Sequence, residues 1–99
     1  MEHPIYKIIK FEKVARYTLR VEFNDNTFQI INFETRLRGP LYGALLDDFI
    51  FDAVMIDPEA HTLVWPNGAD FDPATLHDWP IFEKSMKELV ERSTERLGA

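Results

Sequence analysis

The side chains spaced closely enough to share a chemical task are Asp70 and Asp72, followed by His77 and Asp78. Their oxygens suit a hard cation such as calcium or magnesium, and Asp70, Asp72 and His77 could alternatively act as acid–base groups of an enzyme. The spacing departs from a calcium-binding loop, because Gly68 precedes the acidic residues instead of following them. Structural roles for these carboxylates are therefore favoured, and neither a metal site nor another cofactor is predicted.

The other residues with catalytic or metal-binding potential are isolated from one another along the chain. His3, His61 and His77 lack the close-spaced pairs typical of zinc sites. Ser85 and Ser93 fall on a predicted helix, without the strained turn that presents a hydrolase nucleophile. The sequence contains no cysteine, which excludes disulfides, thiolate zinc sites and cysteine nucleophiles. An enzyme stays an alternative, but the pattern favours a protein without catalytic residues.

Residues 65–73, here called the corner, connect a predicted strand to a predicted helix. Pro66 removes a backbone donor, so the strand is expected to end at Trp65. Asn67 and Gly68 are the residue types that best tolerate positive φ, which favours a tight reversal. Asp72 precedes a proline, which predicts a helix cap followed by a short helix over residues 74–78.

Six residues in or beside the corner are the candidate binding residues, and they are Trp65, Asn67, Gly68, Asp70, Asp72 and Trp79. The two tryptophans, with Phe71 and Phe82, could line a groove for a small ligand. Aromatic side chains in a small domain more often form the core, so that role is favoured. A small-ligand or metal-binding module is kept as an alternative function.

Length and composition predict one domain over residues 1–99. The hydrophobic fraction of 45% and the aromatic fraction of 13% suffice for a single core. No segment approaches the ~18 consecutive apolar residues of a membrane span, and the N-terminus lacks the pattern of a signal peptide. A cytoplasmic protein without a membrane partner is therefore expected.

The net charge of −6 is unevenly distributed along the chain. No lysine or arginine occurs between Arg38 and Lys84, an interval here called the cation-free interval. Eight acidic residues before the C-terminal helix fall in it: Asp47, Asp48, Asp52, Asp57, Glu59, Asp70, Asp72 and Asp78. Such a segment repels phosphate backbones, so direct nucleic-acid binding is not expected. A basic protein partner would suit it, although ordinary solvated loop and cap residues are the favoured interpretation.

The pattern of apolar residues predicts two hairpins and an N-terminal strand. Residues 5–11 form the first strand, and residues 16–23 alternate cleanly between polar and apolar side chains. A two-residue turn within residues 24–27 would return the chain through residues 27–33 and place Phe23 beside Phe28. Residues 53–56 and 61–65 form the second predicted hairpin, joined by a turn that begins at Asp57.

Two helices complete the prediction. Pro40 opens a short central helix, in which Leu41, Leu45 and Phe49 form one apolar stripe. The C-terminal helix spans residues 80–97, and its apolar stripe contains Phe82, Met86, Leu89, Val90, Ser93 and Leu97. This helix is expected to cover the sheet of its own chain or to present its stripe to a second copy.

With these motifs in view, the chain resembles the bacterial family named domain of unknown function 2442, over residues 5–78. The most specific match is residues 64–71, followed by Pro73 and Leu76. Residues 23–26 are similar to the family's Phe-x-Asp-Gly hairpin, with Asn26 in place of the glycine. The resemblance implies a small α+β domain, and some members are encoded beside another small protein in a suspected toxin–antitoxin arrangement. Other members carry a C-terminal helix-turn-helix. The single C-terminal helix predicted for this chain is too short for two helices and a turn, so that DNA-binding arrangement is not expected. The family supplies no catalytic residues.

The sequence therefore predicts an α+β domain with an antiparallel sheet of about five strands. A short central helix and an amphipathic C-terminal helix packed on one face complete it. The favoured function is a non-enzymatic protein-interaction module, such as the acidic partner in a toxin–antitoxin-like pair. The expected partner is a basic protein or a second copy of the chain in a homodimer.

Overall fold

The computed structural model describes the backbone of residues 5–98 and the side chains of residues 5–89. The predicted α+β class is confirmed. The strands are β1 (Ile8–Ala15), β2 (Thr18–Phe23), β3 (Phe28–Asn32), β4 (Met55–Ile56) and β5 (Leu63–Val64). The α-helices are α1 (Gly39–Tyr42), α2 (Asp48–Phe51), α3 (Pro73–His77) and α4 (Trp79–Gly98), and short 3-10 helices occupy Glu34–Arg36 and Gly43–Leu46.

The five strands form two sheets, so the prediction of a single five-stranded sheet is wrong. β1, β2 and β3 form an antiparallel sheet in that order, and β4 and β5 form a separate pair. β4 and β5 are two residues each, because Asp57 begins a turn after β4 and Pro66 follows shortly after β5. The backbone N–H of Ile8 donates to the carbonyl of His61 at 2.8 Å, which ties the second hairpin to the larger sheet without a continuous ladder.

The loop between β2 and β3 is one residue longer than predicted. The N–H of Phe23 donates to the carbonyl of Thr27 at 2.9 Å, which leaves a three-residue loop with Asn26 at φ 68°. Glu22, rather than Phe23, is therefore the partner of Phe28. Because a one-residue change of register moves each side chain to the opposite face, Phe28 and Ile30 lie on the outer face of the sheet.

The core lies between the inner face of the three-stranded sheet and the segments that follow it. The predicted alternation in β2 is confirmed, because Leu19, Val21 and Phe23 are buried while the residues between them are half-exposed. Ile31 and Phe33 continue this buried face on the neighbouring strand. Burial of these side chains provides the main driving force for folding.

The central helix is broken into short turns, which changes the side chains it buries. α1, the 3-10 turn Gly43–Leu46 and α2 replace the predicted single helix. Leu45 and Phe51 are fully buried, whereas Leu41 is exposed and Phe49 is 86% exposed. The predicted stripe of Leu41, Leu45 and Phe49 is therefore wrong, because the break before α2 rotates Phe49 towards solvent.

The C-terminal helix exists, and its described contacts with the core come from its N-terminal end. Trp79 is buried and Phe82 is half-buried, while Ile81 and Leu89 are exposed. The side chains of Val90, Ser93 and Leu97, which belong to the predicted stripe, lie outside the described residues, as does His3. Within the described part of the chain, no helix has the length and apolar character needed to cross a membrane.

Candidate functional site

The corner is a tight turn stabilised by its own side chains. The N–H of Trp65 donates to the carbonyl of Ala69 at 2.9 Å, and the N–H of Gly68 donates to the carbonyl of Trp65 at 3.0 Å. Gly68 has φ +88°, a conformation in which residues with a Cβ are strained. The side-chain oxygen of Asn67 accepts from the N–H of Ala69 at 3.1 Å. The hydrogen bond to Asn67 and the positive φ of Gly68 explain the residue types at positions 67 and 68 without a ligand.

The β2–β3 loop repeats the same geometry with different residues. Phe23 and Thr27 take the places of Trp65 and Ala69 in the backbone bonding, and Asn26 takes the left-handed position of Gly68. The carboxylate of Asp25 accepts from the N–H of Thr27 at 3.1 Å, as Asn67 does in the corner. Both loops therefore combine an Asx residue with a left-handed residue.

The polar side chains of the corner hold neighbouring segments together. The amide of Asn67 donates to the carbonyl of Leu41 at 2.9 Å, and the hydroxyl of Tyr42 donates to the carbonyl of Asp70 at 2.7 Å. Burial, with the Asp70 carboxylate nearby, raises the pKa of the Tyr42 hydroxyl. Asp72 caps α3 as predicted, accepting from the N–H of Ala74 at 2.9 Å.

The aromatic residues beside the corner belong to the core. Phe33 is fully buried, and its ring centroid lies 5.9 Å from Trp65, 5.2 Å from Phe71 and 5.5 Å from Trp79. The indole N–H of Trp65 donates to the carbonyl of Phe51 at 3.0 Å. These rings fill the space that a ligand groove would need, which supports the core interpretation. The binding role of the six candidate residues stays a prediction.

Two buried donors beside this cluster have no hydrogen-bond partner among the described residues. They are the indole N–H of Trp79 and the Nε of Arg36. Both residues contact Phe82: the guanidinium carbon of Arg36 lies 5.3 Å from its ring centroid, and the Trp79 ring lies 5.2 Å from it. A buried donor without an acceptor costs stability, so the start of α4 is a less favourable environment than the corner.

His77 binds two carboxylates, neither of which is Asp70 or Asp72. Its Nε2 lies 2.7 Å from Asp25 and its Nδ1 lies 2.9 Å from Asp78. The imidazole stacks on Tyr6, with ring centroids 3.7 Å apart, and its side chain is only 17% exposed. Folding thus brings the histidine of the proposed enzyme site to the β2–β3 loop. Sequence analysis missed Asp25 because it lies far from His77 along the chain.

Charge and hydrogen bonding shift both partners towards their ionised forms. Burial acts to lower the pKa of His77, but the carboxylates of Asp78 and Asp25 outweigh it and raise that pKa above its usual value. The Thr27 hydroxyl, with His77 as a further donor, lowers the pKa of Asp25 to about 2. The arrangement fastens the loop to α3, with both imidazole nitrogens in contact with a carboxylate, and it is an ion pair when His77 is protonated.

Replacing His77 with glutamine is expected to remove a pH-dependent part of the stability. Because the folded pKa of His77 is raised, its contribution is fully present below the unfolded value of about 6.5. It is lost as the pH rises through the folded pKa. The Tm of His77→Gln should fall below that of the wild type by ~2–5 °C at about pH 5, and the pH-dependent part of this difference should shrink as the pH rises through the folded pKa and vanish well above it.

Thermal melts of both proteins across this pH range provide the measurement. Asp25→Asn is the matched variant, since it keeps the stacking of His77 on Tyr6 but removes one carboxylate. It should weaken the same pH dependence. A difference between wild type and His77→Gln that stays constant with pH would contradict the ion-pair role.

Most acidic residues of the cation-free interval are engaged within the molecule. Lys13 pairs with Asp52 at 2.6 Å, and Arg16 pairs with Asp48 at 3.0 Å, where the hydrogen bond from the guanidinium lowers the pKa of the aspartate. Asp47, Asp57 and Asp72 accept from backbone N–H groups, and Asp78 binds His77. These contacts support the interpretation of solvated cap and loop residues.

The outer face of the three-stranded sheet is partly apolar and open to solvent. Phe28 is 51% exposed and Ile30 is 59% exposed. Ile9, on β1, is also exposed. The Arg20 guanidinium carbon lies 4.2 Å from the Phe28 ring centroid and pairs with Glu22. Ile9 and Phe28 line a shallow depression of about 210 Å³. Sequence analysis missed this surface because the two-residue turn placed Phe28 inside.

Comparisons with known proteins agree with the resemblance noted from the motifs. A model of the family described as "Protein of unknown function (DUF2442)" matches residues 8–81, which include both hairpins, the corner and α3. No curated protein and no solved structure matches the chain. Among the described residues, no group of three or more histidine, aspartate or glutamate side chains has a geometry that could hold a metal ion.

Proposed function

Since this chain belongs to the family described as "Protein of unknown function (DUF2442)", which comes without an activity, we propose its function from its surface. It is a non-enzymatic protein-interaction module that binds through the outer face of the three-stranded sheet. The observation that carries the proposal is the exposure of Phe28 and Ile30, together with Ile9, on one face. Exposed apolar groups that lie together favour a partner that removes them from water.

The polar features of the chain support binding over catalysis. The Asp25–His77–Asp78 cluster uses both imidazole nitrogens in intramolecular contacts, so the histidine is occupied as an acid–base group. The carboxylate of Asp72 is a helix cap. Ionisable groups engaged in this way stabilise the fold, whereas an active site requires one that faces a substrate.

A basic protein remains the partner that the net charge of −6 would favour. The acidic member of a toxin–antitoxin-like pair is one form of this proposal, and it draws on the family resemblance. The outer face also carries the ion pair of Arg20 and Glu22, which would fix the orientation of an apolar contact.

Affinity purification of a tagged copy at native expression tests the proposal. The wild type is expected to retain a stoichiometric companion, which is either another protein or a second copy of the chain. Phe28→Ser should reduce the retained companion by about tenfold or more, because it removes the half-exposed aromatic group of this face.

Phe49→Ser is the matched control, since Phe49 is 86% exposed but belongs to α2 and not to the three-stranded sheet. Its retained companion should equal that of the wild type. If Phe49→Ser lost the companion and Phe28→Ser retained it, the binding surface would not be the outer face of the sheet. A wild type that is monomeric and retains no companion would overturn the proposed function.

A further inference from the structure

β3 is an edge strand whose outward backbone groups are free among the described residues. Thr27, Gln29, Ile31 and Phe33 direct their backbone groups towards β2, as the bonds from Phe23 to Thr27 and from Phe33 to Tyr17 require. The N–H and C=O groups of Phe28, Ile30 and Asn32 therefore point away from the sheet. No backbone bond to a segment outside the sheet satisfies them in the described part of the chain.

The two edges of the sheet differ in how they are protected. β1 has register irregularities between Ile8 and Lys10 and between Lys13 and Ala15, and it carries two lysines. Such bulges and charges prevent the pairing of an edge with another strand. β3 has the sequence Phe-Gln-Ile-Ile-Asn, without a charge, a proline or a register irregularity. The β1 edge is therefore protected against pairing with another strand, and the β3 edge is available for it.

We infer that β3 pairs antiparallel with β3 of a second copy, about a two-fold axis at Ile30, to form a continuous six-stranded sheet. This inference rests on the proposed function, because it names a second copy as the partner and places the contact at the edge strand that carries Phe28 and Ile30 of the outer face. The register follows from the free groups: Ile30 pairs with Ile30 of the second copy, and Phe28 pairs with its Asn32. All three outward N–H groups and all three outward carbonyls of each copy are then satisfied.

The absence of charge on β3 allows a second copy to approach at this edge. Two chains with a net charge of −6 repel each other, so they approach most closely where charge is absent. β3 contains no ionisable residue, and the nearest charges on the outer face, Arg20 and Glu22, neutralise each other within one chain. The exposed side chains of Phe28 and Ile30 would then form one apolar strip across the two-fold axis.

The molar mass in solution and a site-specific crosslink test the inference. Light scattering on the wild type should give twice the chain mass of 11.6 kDa. Ile30→Lys places two lysines across the axis and should weaken the dimer at least about 10-fold. Val14→Lys is the matched control on β1, at a valine that is also exposed, and should leave the dimer intact.

A single introduced cysteine tests the register, because the sequence contains no other. Ile30→Cys should form a disulfide-linked dimer on oxidation, since paired residues in this position lie about 5.5 Å apart between Cα atoms. Met55→Cys, which is equally exposed on β4, should not crosslink efficiently.

The outcomes separate the inference from the proposed function. A monomeric wild type that retains a different protein on the outer face would overturn the second copy and support the proposed function. A dimer that crosslinks at Met55 but not at Ile30, or that dissociates with Val14→Lys but not with Ile30→Lys, would overturn the β3 pairing while a protein-binding role stands. A monomer with no companion would overturn both.

Discussion

Replacing Phe33 with alanine is expected to lower the free energy of unfolding by about 3–5 kcal/mol. Its ring is fully buried and meets Phe51, Trp65, Phe71 and Trp79 at centroid distances of 5.2 to 6.1 Å. Removing it opens a cavity at the place where the sheet, the corner and α4 meet. Since small domains are stable by only ~5–15 kcal/mol, a large part of the stability should be lost.

Urea unfolding followed by tryptophan fluorescence measures this loss. Phe49→Ala is the control for the same chemical change at an 86% exposed position, and it should alter the free energy of unfolding by less than about 0.5 kcal/mol. Equal effects of the two substitutions would mean that Phe33 is not the centre of the core.

The parts of the fold predicted from the sequence are those that depend on local chemistry. The alternation in β2 needs only one buried face, and Asp72 before Pro73 specifies a helix start within three residues. The corner follows from two residues. Pro66 has a fixed φ and no backbone N–H, and Gly68 can adopt the positive φ that the turn requires. Each of these features is decided by residues adjacent in the chain.

The register of β3 was predicted wrongly because the residues between β2 and β3 suit two alternative loops, which differ in length by one residue. Asn24, Asp25 and Asn26 all tolerate turn conformations, so residue type alone does not choose between a two-residue and a three-residue loop. The structure uses the longer loop, with Asn26 in the left-handed region. Ile30 and Ile31 are adjacent and equally apolar, so the strand pattern did not correct the error. The proposed binding face depends on this register.

The contacts of the candidate site depend on folding across long separations. His77 contacts Asp25 because α3 packs near β3. Lys13 and Arg16, from the first hairpin, pair with two aspartates of the cation-free interval. Net charge and residue spacing carry no information on such pairings. Fewer carboxylates are therefore available to a partner than the number of aspartates in the sequence suggested.

Replacing Trp65 with phenylalanine is expected to cost about 2–3 kcal/mol, whereas the same change at Trp79 should cost less than about 1.5 kcal/mol. Both indoles are buried and both substitutions remove the same atoms. The difference lies in the N–H group: Trp65 donates to the carbonyl of Phe51 at 3.0 Å, and the N–H of Trp79 has no acceptor among the described residues.

Losing a satisfied donor removes a hydrogen bond, while losing an unsatisfied one removes the penalty of burying it, which offsets part of the lost packing. Urea unfolding of the two variants under identical conditions measures the difference, with circular dichroism as the probe because each variant loses one fluorophore. A larger loss for Trp79→Phe than for Trp65→Phe would mean that the Trp79 N–H has an acceptor in solution. The start of α4 would then stabilise the protein as strongly as the corner does.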